Sequence, residues 1–244
     1  MSEHPSRASG LTASLLVSTL AADAHELELE GEAFHHLVRV RRLEVGERLQ
    51  ITDGRGRVAV AELAEISRRS ARLTTSEARS FASPTPAVEL LVAPPKPERA
   101  AWMVEKAVEL GVHRIAFVLT RYSSRKGHPL DRWRRIAVSA LEQSFGAWLP
   151  ELSEPAPLTQ AIASLQSQRR YLLDPEGASP AQATAFASAT LAVGPEGGFD
   201  DQERQELADA GFIPLGLGSR ILRVETAAIV GLGLVGLGLV PAEL

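Results

Sequence analysis

"VELLVAPPKPERAAWMVEKAVELGVHRIAFVLT", residues 88–120, changes its hydrophobic period twice. The run 88–95 is almost continuously apolar, the pattern of a strand buried on both faces. The next stretch, 96–111, has Pro97 near its start and Gly111 at its end, the order of a helix. Ala100, Met103, Val104, Ala107 and Val108 share one face of it. Residues 114–120 return to strand character. Strand, helix and strand in so short a span make a βαβ unit with parallel strands.

The alternation continues to the end of the chain. Asp131 is expected to cap a helix over 132–145, and a further helix covers 158–168. Strands follow at 170–174 and 190–194. Asp200 and Glu203 form a D-x-x-E start for a helix over 201–210. "FIPLGLG" (212–218) is the last strand and 224–239 the last helix. The fold class is α/β, a mostly parallel sheet covered on both faces.

Upstream the period is different. Residues 15–78 read as short strands with turn signals, and "ERLQITDGRGRVAVAELAEI" (47–66) alternates around Asp53-Gly54. "HHLVRVRRLEVGE" (35–47) reads as a short helix and a turn. The expected organisation is a small β-barrel over 1–80 (1–12 a loose tail), a linker over 81–87, and an α/β domain over 88–244.

Composition narrows the chemistry. The chain has 244 residues and no cysteine, which excludes disulfides, thiolate zinc sites and thiol nucleophiles. The six histidines lack metal-site spacing, and no metal is expected. A net charge of −4 argues against a wholly basic nucleic-acid binder. Only Lys96, Lys106 and Lys126 are lysines, so 26 − 3 = 23 cations are arginines. Arginine forks suit phosphate and carboxylate; base composition of the genome explains the bias equally well. Residues 11–24 faintly imitate a signal peptide but read better as a first strand, and 231–240 is too short to span a bilayer. A cytoplasmic location is expected.

Three loops stand where ligands bind in open α/β sheets, beyond the strand ends: 172–177, 193–199 and 215–227. The second, "VGPEGGF", sets Glu196 in a glycine-rich turn beside Asp174 and Glu176. These carboxylates disfavour phosphate and suit a neutral base or a cationic group; a tight structural turn is the alternative. In "SRILRVETAA" (219–228), Arg223 and Glu225 suit an anion clamp with a carboxylate, or else a structural ion pair. "GLGLVG" (231–236) matches a dinucleotide fingerprint but lies inside a helix with no βαβ unit after it, so close helix packing is the reading. Arg39, Arg41, Arg42, Arg48, Arg55 and Arg57 suit RNA phosphates or a solvated mixed surface.

Taken together, "HHLVRVRRLEVGE", "DGRG", "KAVELGV", "EQS", "VGPEGGF" and "LGSRILRVETAA" resemble, in the same order, the RsmE-type 16S ribosomal RNA methyltransferases of the SPOUT superfamily. The likeness runs from about residue 30 to 235. It implies a PUA-like barrel followed by a SPOUT domain with a C-terminal trefoil knot. It also implies S-adenosylmethionine as cofactor, N3 of a uridine in 16S rRNA of the small ribosomal subunit as target, and a homodimer. On this resemblance the cofactor residues are Leu173, Gly194, Pro195, Gly197, Gly198, Leu217, Gly218, Ile221, Leu222 and Thr226. The catalytic residues are Arg223, Glu225 and Glu196, and the RNA-binding ones Arg39, Arg41, Arg42, Lys96 and Arg125. The chain departs from the family at Ser14, Tyr122 and Gly146, where arginines are usual; Arg121 or Arg125 would compensate by a shifted register. The other readings are the same fold acting on a different RNA, a non-catalytic RNA-binding relative, and, last, a nucleotide-binding enzyme.

Overall fold

The computed structural model describes residues 10–21, 25–123, 129–180 and 185–241. The chain divides into two compact units, Met1–Ser83 with Leu141–Leu149, and Pro84–Ala140 with Pro150–Leu244.

The first unit holds β1 (Leu11–Leu16), β2 (Glu26–Glu30), α1 (Gly31–Phe34), a π-helical turn (His35–Val40), β3 (Arg48–Thr52), β4 (Arg57–Ile66), β5 (Ser70–Thr75) and β6 (Arg79–Ser80). Strand character therefore begins at Leu11, inside the stretch expected to be a loose tail. The ladder runs β1-β3-β4-β5-β2, with β6 on β4, and among the described residues nothing joins β2 to β1, so the barrel is open there. Alternation places Leu49, Ile51, Leu63 and Leu73 in its core with Leu37. At the expected hairpin, Asp53 Oδ1 accepts from the N–H groups of Arg55 (2.8 Å) and Arg57 (3.1 Å). Residues 141–149, grouped by period with the α/β stretch, pack in this unit instead. Gln50 donates to the Phe145 carbonyl at 3.1 Å, Gly56 N–H to Ala147 at 2.9 Å, and the Trp148 indole to Phe81 at 3.1 Å. Leu16 N–H donates to the buried Glu142 at 3.0 Å.

The second unit holds β7 (Ala87–Val92), α2 (Pro97–Glu109), β8 (Arg114–Leu119), α3 (Leu130–Gln143, whose end belongs to the first unit), β9 (Glu151–Leu152), β10 (Ala156–Pro157), α4 (Leu158–Ala163), β11 (Arg169–Ala178), β12 (Ser188–Val193), α5 (Asp201–Asp209), β13 (Ile213–Leu215) and α6 (Val224–Gly236). Every ladder in it is parallel. Leu90, Leu91, Val92, Leu191 and Ala192 of the central strands are completely buried, and the expected apolar face of α2 is buried too.

Three local expectations are corrected. Asp131 does not cap α3: it lies inside the first turn, paired with Arg134 at 3.1 Å, and Trp133 N–H already bonds the Pro129 carbonyl. The same helix ends at Gln143, before Phe145 takes a left-handed φ of 56°. The helix expected over 158–168 ends at Ala163, because Ser164 Oγ folds back on the Ala161 carbonyl at 2.8 Å.

Strand order β10-β8-β7-β12-β11-β13 makes the chain double back on itself. β12 inserts between β7 and β11, and β13 then adds outside β11. α6 returns across the sheet to lie on α2, β7 and β12. The Tyr171 hydroxyl on β11 donates to the Pro241 carbonyl beyond α6 at 3.0 Å. This return is the threading of the C-terminal trefoil knot. The close helix packing expected of 231–236 is corrected: the one tight glycine packs on the sheet, a Cβ on Gly231 lying 2.8 Å from the Leu191 side chain of β12, whereas Gly233 and Gly236 face open space.

Candidate functional site

At the carboxyl ends of β11, β12 and β13, the three loops singled out in the sequence surround one cleft of about 480 Å³, within the range of small-molecule sites. Its wall includes Leu173, Gly194, Pro195, Gly197, Gly198, Leu217, Gly218, Ile221 and Leu222, together with Glu196 and Arg223. Thr226 and Glu225, in the first turn of α6, are not part of that wall. Arg39 and Arg42 are exposed in the first unit, and Arg41 Nε donates to His36 Nε2 at 3.2 Å. Arg42 sits just past the π-helical turn with φ 55°, a left-handed position that usually takes glycine. Lys96 is the exposed residue before α2, away from the wall, and Arg125 lies outside the described residues.

The glycine turn leads into the D-x-x-E signal as a full capping box. Asp200 accepts from Glu203 N–H at 2.8 Å, and Glu203 from Asp200 N–H at 2.9 Å. Gly218 has φ 95° with open space where a side chain would stand, so backbone is presented to the cleft.

Two arginines that sequence reasoning missed hold the carboxylates. Arg204 on α5 pairs with Asp174, and its Nε donates to the Phe199 carbonyl at 3.2 Å, tying two cleft loops together. Arg99 on α2 lies 3.6 Å from Glu225 and 3.9 Å from Glu196. Glu225 is therefore paired with Arg99, not with Arg223 as the structural alternative required. The second Glu225 oxygen, Oε2, is buried without a hydrogen bond. Because Asp174 and Glu196 both face arginines, the cleft repels anions less than the bare carboxylates suggested. No carboxylate among the described residues pairs with Arg220 or Arg223, both exposed and on the wall.

Burial pushes the Asp174 carboxyl up, but the Glu176 N–H and the Arg204 guanidinium outweigh it and hold it below its ordinary value. A lowered folded pKa stabilises the fold above the unfolded value, about 3.9, and that contribution is lost as pH falls through the folded value. Asp174→Asn is thus expected to lower the melting temperature at neutral pH, with the gap to wild type closing below about pH 4. Melting curves from neutral to acid pH check this; a gap that persists in acid contradicts it.

Residues 82–236 match the RNA methyltransferase domain family, and residues 29–76 the RNA methyltransferase PUA domain family. The ribosomal RNA small subunit methyltransferase E of Synechocystis is 34% identical, over 81% of this chain and 68% of its own length. That of Mycobacterium bovis is 32% identical over 90% of this chain and 89% of its own. Two relatives have been solved with bound S-adenosylmethionine. A methyltransferase of Legionella pneumophila is 29% identical with TM-score 0.79, and the ribosomal RNA small subunit methyltransferase E of Neisseria gonorrhoeae is 25% identical with TM-score 0.82; each match covers 90% of this chain and 94% of the relative. With the first family match covering more than half of the residues, the chain belongs to the RNA methyltransferase family, with a PUA-like domain ahead of its SPOUT domain.

Proposed function

We propose that this protein is an S-adenosylmethionine-dependent methyltransferase acting on N3 of a uridine in 16S rRNA. The observation that carries the reading is the cleft. It has apolar and glycine walls, arginine-held carboxylates, and two arginines without an ion-pair partner among the described residues. Relatives matching nine-tenths of the chain hold S-adenosylmethionine, and the cleft suits it: Leu173, Leu217, Ile221 and Leu222 take the adenosine, and Glu196 faces the cationic end.

When bound, the cofactor supplies an activated methyl group. What remains for the protein is alignment, which is worth up to about 7–11 kcal/mol, and handling of the N3 proton. Glu196, on the wall and half exposed, accepts that proton. Arg223 stabilises the negative charge that develops on the uracil oxygens. Glu225 orients Arg99, and Arg99 steadies Glu196. Arg39, Arg41 and Arg42 of the barrel, with Lys96 and Arg125, contact RNA phosphates, and the unit of Pro84–Ala140 with Pro150–Leu244 is the catalytic one. The protein works as a cytoplasmic homodimer. Trp102 on α2 and Val230 on α6 leave apolar surface exposed on helices that pack together, as does Leu237 just after α6. Among the described residues no helix is long and apolar enough to cross a membrane, and no cluster of histidines and carboxylates is gathered for a metal.

A second reading, the same chemistry on another RNA, is favoured by Tyr122, which abuts Gly197 of the cleft wall at the position where the resemblance leads one to expect an arginine. Nucleoside mass spectrometry of small-subunit RNA tests both. On the first reading, 3-methyluridine disappears with the gene and returns with it. If 3-methyluridine is unchanged, the 16S rRNA target is wrong.

A further inference from the structure

We infer that Tyr122 is a platform on which a nucleobase of the RNA stacks at the mouth of the cleft, an inference that rests on the methyltransferase reading above. Beyond β8 the chain makes a tight turn, with Thr120 N–H donating to Ser123 Oγ at 2.9 Å and that hydroxyl donating back to the Thr120 carbonyl at 2.9 Å. The turn is tied to the start of α5. Arg121 N–H donates to Glu203 at 2.7 Å, and the Arg121 guanidinium lies 3.5 Å from Asp200. The base of the Tyr122 side chain rests on Gly197 of the cleft wall, so closely that a Cβ on Gly197 would meet Tyr122 Cβ at 3.2 Å.

A lone exposed aromatic is ordinary, but this one is braced at its root and held outward beside the cleft. Tyr122 is 54% exposed, while the chain's other tyrosine, Tyr171, is fully buried with its hydroxyl bonded. The Arg121 guanidinium lies 5.7 Å from the Tyr122 ring centre. With the Arg121 guanidinium over one face of the ring and held by Asp200, the other face is the one on which a base would stack, as unpaired nucleotides do on aromatic side chains. Methylation at N3 requires the pyrimidine's pairing edge to be free. A stacked base at Tyr122 would fix how the strand enters.

The test compares wild type, Tyr122→Phe and Tyr122→Leu. Methyl transfer is measured on small ribosomal subunits from cells lacking the gene, and S-adenosylmethionine affinity by calorimetry. The expected result is a Tyr122→Leu loss of about 5- to 150-fold in kcat/KM for the particle, carried by KM, the ratio that stacking on one aromatic is worth. Tyr122→Phe stays within about twofold, and cofactor affinity is unchanged in both. The inference is overturned if Tyr122→Leu equals wild type, or if Tyr122→Phe is as impaired as Tyr122→Leu. It is also overturned if cofactor affinity falls in step with transfer, which would make Tyr122 only a brace for Gly197. If wild type binds the cofactor but transfers nothing to these particles, the 16S rRNA reading falls and takes the platform with it.

Discussion

Arg223→Ala is expected to lower methyl transfer by about 10²–10³-fold, the usual loss when one donor aimed at developing charge is removed. The residue stands on the cleft wall, immediately before α6, and its side chain makes no cap hydrogen bond, so the substitution costs the helix little. Its guanidinium has no carboxylate partner among the described residues and is free to meet an anionic oxygen. A group that acts only in the transition state lowers kcat and kcat/KM together, and that is the expected signature, with cofactor affinity intact. Arg223→Lys keeps the charge but loses the planar fork and should recover only part of the rate. Glu196→Gln should also slow transfer, by removing the proton acceptor. Near-normal turnover by a folded Arg223→Ala protein would remove Arg223 from the mechanism.

Gly177→Ala is expected to damage the fold itself. Where β11 crosses β13, a Cβ on Gly177 would lie 2.6 Å from Leu215 N and 2.7 Å from Gly216 N, and one on Gly216 would lie 2.5 Å from the Gly177 carbonyl oxygen. These neighbours are backbone atoms with no side chain to swing aside. The cost belongs at the top of the overpacking range, about 3 kcal/mol, a fall in melting temperature of roughly 6–12 °C for a domain of this size. Leu215 and Leu217 belong to the cleft wall, so S-adenosylmethionine affinity should fall too. Gly233→Ala on α6 is the control: nothing lies within 4 Å of the added methyl, and alanine favours helix by about 1 kcal/mol. Thermal denaturation of the two variants decides the matter; Gly177→Ala melting with wild type would show that the crossing is more yielding than its distances.

What was legible in the sequence was local or periodic. The βαβ unit around α2, the capping box at Asp200 and the turn at Asp53 are written within a few residues each. The cleft was legible as three loops at strand ends; of the residues that the family motifs added, Thr226 and Glu225 stand off its wall. The arginines that hold the cleft were not legible, because Arg99 reaches carboxylates on β12's loop and on α6, far along the chain. Periodicity carries no record of such meetings. Residues 141–149 escaped for a related reason: their ties to the barrel run in part through the Phe145 and Ala147 carbonyl groups, which any side chains would have offered. The π-helical turn differs from an α-helix only in which carbonyl each N–H selects, and amphipathic spacing does not distinguish the two.

The return of α6 across its own sheet sets a condition on biosynthesis. The cleft walls come from β11, β12, β13 and the residues leading into α6, all between Leu173 and Ala227 and so made after the barrel. A chain still emerging from the ribosome can complete the barrel and the strands from β7 to β10 while having nowhere to receive the cofactor. Ligand binding stabilises only the state that binds. S-adenosylmethionine can therefore favour this protein only once the residues leading into α6 have emerged and closed the cleft, after the barrel has had time to form.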